Sequence, residues 1–142
     1  LESTVKNKLS PRGVKVKDIL VTCPKDRWED DGERKVKRKV KGRGYANAEW
    51  VYSGCRATNQ YKDKKAVIYL INKHQNQRVK EYCINRGGPI DSDLYSCSEM
   101  FQVIFRGCIR KGDKMYLVMP SKRMLRIYNQ WLNNEGVFEY ER

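Results

Sequence analysis

Between residue 100 and the chain end, apolar residues come in short runs cut by turn chemistry, and this punctuation limits the fold more than any other feature. The runs are Met100-Phe101-Gln102-Val103-Ile104-Phe105, Met115-Tyr116-Leu117-Val118-Met119, Met124-Leu125-Arg126-Ile127-Tyr128 and Val137-Phe138-Glu139-Tyr140. Arg110-Lys111-Gly112-Asp113, Pro120-Ser121 and Asn133-Asn134-Glu135-Gly136 separate them. Strand-length runs joined by tight turns predict an antiparallel meander.

Upstream, residues 14–22 open with the period-two alternation of a strand, and Cys23-Pro24 closes it because proline cannot donate to a ladder. Residues 45–53, with Trp50, Val51 and Tyr52, return as a second strand, so the two form a hairpin. The main helix is predicted from Asp63. Ala66, Val67, Leu70, Ile71 and His74 share a face at three- and four-residue spacing, and Val79, Tyr82 and Cys83 extend it, with the period slipping near Asn76. Gly87-Gly88-Pro89 stops the helix. The order is hairpin, helix, meander: an α+β fold with one main helix packed on a C-terminal antiparallel β-meander. At 142 residues the chain reads as a single domain, 1–142, that buries roughly 70% of its unfolded surface. No apolar run approaches the roughly 20 residues of a membrane span. The start carries no charged-then-apolar leader, so any signal peptide is expected to have been removed or never to have existed.

Thirty Lys and Arg against seventeen Asp and Glu leave a net charge of +13, of which residues 1–45 hold +7. Both parts are basic, so the charge is not that of one tail, and the expected partner is RNA or another polyanion. Residues 24–44 form an exposed basic loop or ribbon at the hairpin tip. Its densest stretch holds Arg34, Lys35, Lys37, Arg38, Lys39, Lys41 and Arg43. These seven, with Tyr45 beside them and Arg126 on the meander, are the candidate nucleic-acid-binding residues. Cations follow a phosphate backbone while aromatic rings stack on bases, and Trp28 near the loop is a further stacking candidate.

Cysteines stand at 23, 55, 83, 97 and 108, with no Cys-x-x-Cys pair, and His74 is the lone histidine. Zinc therefore lacks its usual half-sites, and no metal or cofactor is expected. Cys23, Cys55, Cys83, Cys97 and Cys108 are disulfide candidates of a secreted domain, with the pairing open. Buried free thiols in a cytosolic protein are the alternative.

Catalytic signals are absent: no triad surrounds His74, and no glycine-rich phosphate loop occurs. Glu99 or Glu139 with Arg106, Arg110 or Arg126 is the one acid–base combination compatible with RNA cleavage.

Helix then meander after a hairpin resembles the microbial ribonuclease fold. More narrowly, residues 45–142 resemble the secreted RNase-like effectors of powdery mildew fungi. Tyr52-Ser53-Gly54-Cys55 stands where that family has Tyr-x-Cys before its helix, one residue longer. The resemblance implies a disulfide from Cys55 to a cysteine near the chain end; no cysteine follows Cys108 here, so Cys55 needs another partner, of which Cys108 is one choice. Active fungal ribonucleases of this fold carry glutamate, arginine and histidine on the meander; here Arg106 and Arg126 are present and histidine is not. The resemblance thus implies a secreted, monomeric, non-catalytic effector that binds RNA or host proteins inside a plant cell and is recognised by a plant immune receptor. A histidine-poor ribonuclease toxin and a binder of acidic protein surfaces are the alternatives.

Overall fold

A computed structural model describes residues 7–28, 40, 45–55 and 59–133. Two tetrapeptides make its centre. Ile19–Thr22 (β1) and Ala66–Tyr69 (β3) are buried at every position. Strands covered on both faces read as unbroken apolar runs rather than as alternation. β1 pairs with β3 in parallel, with Ile19 opposite Ala66 and Thr22 opposite Tyr69. Glu49–Trp50 (β2) flanks β1 on the other side, and Tyr116–Val118 (β4) flanks β3, both also in parallel. The sheet order is β2-β1-β3-β4.

Parallel neighbours cannot be joined by tight turns, so each connection must cross the sheet. Lys25–Trp28 (α1) follows β1. Gln77–Asn85 (α2) and Ser92–Ile104 (α3) lie between β3 and β4, and Lys122–Asn133 (α4) follows β4. On one sheet face Leu20, Val67 and Tyr69 pack with Cys97, Met100, Val103 and Ile104 of α3 and Met124 and Ile127 of α4. On the other, Ile19, Val21, Ala66 and Ile68 meet Leu9, Val14, Trp28 and Tyr45.

Helix α3 starts where the Asp91 side chain accepts from the backbone N–H of Asp93 and Leu94, both at 2.8 Å. Its buried positions recur at three and four residues, and α4 repeats that period with Met124, Ile127 and Trp131. The two helices meet through Phe101, whose ring centroid lies 4.2 Å from that of Trp131 and 5.9 Å from that of Tyr128. Helix α2 buries no residue fully.

The structure overturns the α+β architecture predicted from the sequence. The two N-terminal segments are neighbours, yet Leu20 faces Glu49 and Val21 faces Trp50 in parallel register, so they are not a hairpin. Residues 14–18 contribute Val14 to the core and then a 3-10 turn, Val16–Asp18, and the strand begins only at Ile19. The helix predicted from Asp63 is strand β3. Its apolar run satisfies helical spacing only because every position is apolar, and a doubly buried strand gives the same run. Helix appears only after Asn76, which caps it by accepting from the Arg78 N–H at 2.9 Å, and it ends before Gly87 (φ 71°). The meander is absent from the described residues. Residues 100–104 finish α3, residues 124–128 lie inside α4, and Tyr116–Val118 alone is a strand, parallel to its neighbour. Residues 137–140, read as the last strand, lie outside the described residues.

Candidate functional site

In open parallel sheets ligands usually bind beyond the carboxyl ends of the strands, where the strand order reverses. Here that point lies between β1 and β3, since the chain first moves from β1 to β2 and then returns to the far side of β1. The local chemistry there is already satisfied. Only Cys23-Pro24 separates β1 from α1, with no glycine to bring backbone N–H groups onto a phosphate. The indole N–H of Trp50 donates to the Cys23 carbonyl at 3.0 Å, and Thr22 Oγ1 donates to the Val51 carbonyl at 2.9 Å. Beyond β3, Lys73 pairs with the buried Glu99 at 3.2 Å. Arg123 donates to the Lys73 carbonyl at 2.7 Å, to Asp93 at 2.6 Å and to Ser96 Oγ at 3.0 Å. Arg126 takes the other Asp93 oxygen at 2.7 Å. These cations brace α3, α4 and the loop after β3. Two buried atoms here are exceptions, the Tyr69 hydroxyl and the Gln75 side-chain oxygen, neither with a hydrogen-bond partner; burial first, then Glu99 and Tyr95, push the Tyr69 phenol up.

The opposite, N-terminal edge is different. Two loops lead into adjacent strands there, residues 59–65 before β3 and residues 105–115 before β4, and their backbones are joined. Cys108 N–H donates to the Lys64 carbonyl and Tyr116 N–H to the Lys65 carbonyl, each at 2.9 Å. Gly107 permits the approach: a Cβ there would stand 3.1 Å from the Lys64 carbonyl oxygen and 2.6 Å from Met115 Sδ. Gly112 (φ 78°) then closes the 3-10 helix Cys108–Lys111 in the left-handed region that glycine enters without steric cost.

These loops display Lys62, Lys65, Arg110, Lys111 and Lys114 at the surface. Lys64 is drawn inward, pairing with Glu49 at 2.8 Å and donating to the Lys17 carbonyl at 2.7 Å. Arg110 donates to Asn59 Oδ1 and Lys111 to Asp63. Lys114 and Arg12 sit over the Tyr116 ring, 5.4 and 5.9 Å from its centroid.

At the start of the second loop stands Arg106, just past the end of α3 and only 6% exposed. Its Nε has no hydrogen-bond partner, and no carboxylate of the described residues forms an ion pair with it. Arginine is a permanent cation, and here one of its donors, Nε, is closed off from water. It acts on the neighbouring Tyr61, whose phenol is pushed up chiefly by burial and then by Glu49, with Arg106 opposing.

The candidates read from the sequence fall elsewhere. Arg34, Lys35, Lys37, Arg38, Lys39, Lys41 and Arg43 lie outside the described residues. Of the predicted basic loop, Lys25–Trp28 is helical, and the Val40 N–H donates to the Arg27 carbonyl at 2.9 Å. Tyr45 and Trp28 are buried in the core, their rings closed to a stacking base. Arg126 is half exposed but committed to Asp93. Cys23, Cys55, Cys83, Cys97 and Cys108 are all free thiols. Burial pushes Cys23 and Cys97 up to about 11, which leaves little thiolate at neutral pH. Among the described residues no three His, Cys, Asp or Glu side chains gather to hold a metal ion. No helix of the described residues is long and apolar enough to cross a membrane. Sequence reasoning passed over Lys62, Lys65 and Lys111 as binding residues and noted Lys114 only as a cation interleaved with the aromatics of the expected meander. Their signal was the pair of short cationic clusters, Lys62-Asp63-Lys64-Lys65 and Arg110-Lys111-Gly112-Asp113-Lys114, each just ahead of an apolar run.

An all-parallel sheet whose order reverses beside its first strand, with helical crossovers, defines a Rossmann-like α/β domain. The family comparison agrees: the model described as the YonV C-terminal Rossmann-like domain matches residues 1–132, and the chain belongs to that family. It is 34% identical over 99 residues to YonV, an SPβ prophage-derived protein of Bacillus subtilis strain 168. That alignment covers 70% of this chain and 24% of YonV, so the chain spans about a quarter of its relative's length. No solved structure matches the chain.

Membership in this family overturns the resemblance to powdery mildew effectors, since the related protein is bacterial and prophage-derived and the shared fold is Rossmann-like. The plant-cell setting, the host-protein and immune-receptor partners and the ribonuclease-like toxin rested on that resemblance or on the meander and are withdrawn with it; the secreted localisation, read also from the five cysteines, is withdrawn on the same family finding. The loose Tyr52-Ser53-Gly54-Cys55 match is a turn after β2, in which the Tyr52 ring lies where a Cβ on Gly54 would come within 2.6 Å of it.

Proposed function

We propose that this domain contacts the phosphate groups of a nucleotide or a nucleic acid through the N-terminal edge of its sheet, with Arg106 at the centre. The observation that carries the reading is Arg106, a buried residue unpaired by any described carboxylate, whose buried Nε lacks a partner. A buried donor on a charged group is costly to leave without a partner, and a ligand oxygen that accepts from it compensates that cost. The planar fork of donors suits phosphate oxygens better than an ammonium does. Lys62, Lys65, Arg110 and Lys114, exposed on the same two loops, supply the attraction that any chain of phosphates feels. The basic tract from Arg34 to Arg43 remains a candidate for the same sequence-independent contact.

The reading is tested by fluorescence anisotropy of a labelled single-stranded oligonucleotide, titrated with the domain at several salt concentrations. Log affinity is expected to fall linearly with log salt. Competition with an unlabelled nucleoside triphosphate separates the two sources: displacement at low concentration marks a nucleotide site, and resistance to it a polynucleotide track. Binding of neither ligand at low salt would falsify the reading.

A further inference from the structure

Two surface cations of this edge are already occupied, and their occupants come from the facing loop. Lys111 donates to the Asp63 carboxylate and Arg110 to the Asn59 amide oxygen. Neither contact is a chance meeting of long side chains. The loops that carry them are fixed to each other through the Cys108–Lys64 and Tyr116–Lys65 backbone hydrogen bonds. Asp63 is therefore delivered to Lys111 by the fold, although its side chain stays 71% exposed and that of Lys111 44%.

We infer that Asp63 and Asn59 stand in for ligand oxygens on Lys111 and Arg110, so that the edge masks part of its own charge until a phosphate displaces the carboxylate. This rests on the phosphate-binding reading and names how that site is held between ligands. An exposed ion pair contributes little to stability, so breaking it is an easy exchange. A terminal phosphate offers more charge and more acceptor oxygens than a carboxylate, and a polynucleotide presents many phosphates in a row, so either wins that exchange where a single weak monoanion does not. The self-contact thus lowers affinity for all anions and keeps Lys111 for the strongly charged ones. The Lys111 hydrogen bond, ahead of the neighbouring lysine charges, holds the Asp63 carboxyl below its ordinary range, as a preformed contact would.

The test compares oligonucleotide binding by the wild-type domain and four variants across salt. Asp63→Asn is expected to tighten binding about threefold, the scale on which an exposed pair matters. It should also steepen the log–log salt slope by roughly 0.7, one further phosphate contact on a single strand. Glu81→Gln removes an equal charge from exposed helix α2, where Glu81 only accepts from Gln77, and should leave the slope unchanged. Adding Lys111→Ala to Asp63→Asn should erase the gain. If Asp63→Asn binds no more tightly than Glu81→Gln while Arg106→Met weakens binding, the masking is wrong and the phosphate site stands. If Arg106→Met binds like wild type, the underlying reading fails.

Discussion

Replacing Arg106 with Met is expected to weaken phosphate binding at least tenfold while leaving the domain as stable as before, or more so. The two effects share one cause. In the folded protein Arg106 is 6% exposed as a residue, its Nε donates to nothing, and no described carboxylate forms an ion pair with it. Met fills much of the same length with no charge to desolvate, so the replacement is expected to be neutral or stabilising. Hydrogen bonds to charged groups contribute about 1.5–3 kcal/mol each, so losing even one to a phosphate costs about a factor of ten in affinity. Thermal melting and anisotropy on the same preparation check both halves. A side chain there only for packing would behave otherwise, with melting temperature falling and affinity unchanged.

Arg123→Ala is expected to do the reverse. This guanidinium joins three elements: the carbonyl of Lys73 after β3, Asp93 and Ser96 of α3, and its own helix α4. Its truncation leaves Asp93 with Arg126 alone and takes a donor from the Lys73 carbonyl. Because Arg123 is only partly buried, solvent replaces some of what is lost. The expected destabilisation is about 2 kcal/mol, read as a lower urea midpoint with an unchanged slope. Arg123→Lys keeps the charge without the fork and should recover only part of it. Phosphate affinity at the far edge should not change beyond the fraction of protein unfolded. Together the two variants separate a cation that braces the fold from one that the fold carries at a cost.

The sequence showed where the chain turns better than what lies between the turns. Ile19–Thr22 was legible as a strand because Cys23-Pro24 closes it, and Gly87 marked the end of a helix correctly. Residues 66–71 were misread because a doubly buried strand and a buried helical face both present continuous apolar residues, and periodicity cannot divide them. Residues 100–104 and 124–128 misled in the opposite direction. Each is one stretch of an amphipathic helix whose polar partners, such as Ser98 on α3 and Asn129 on α4, lie outside the run, so the run alone looks like a strand. Once those helices became strands, parallel pairing was hidden, because the crossovers that it needs had been used up.

The site was partly visible. The excess of positive charge pointed to a polyanion, but the densest tract drew attention away from two smaller clusters that only the β3–β4 register brings together. Arg106 appeared in the sequence as one arginine among many. Its meaning depends on burial and on the absence of a partner among the described residues, and neither is written in composition or spacing.

Backbone amide chemical-shift mapping tests the central claim most directly. The domain, isotopically labelled, is titrated with a short single-stranded oligonucleotide at low salt, and the same titration is repeated with a nucleoside triphosphate. The account expects the largest shifts along residues 59–65 and 105–115, around Arg106 and the two joined loops. Shifts centred on Cys23, on residues 72–75 and on residues 121–123, with the N-terminal edge silent, would contradict it and return the ligand to the carboxyl ends of the strands.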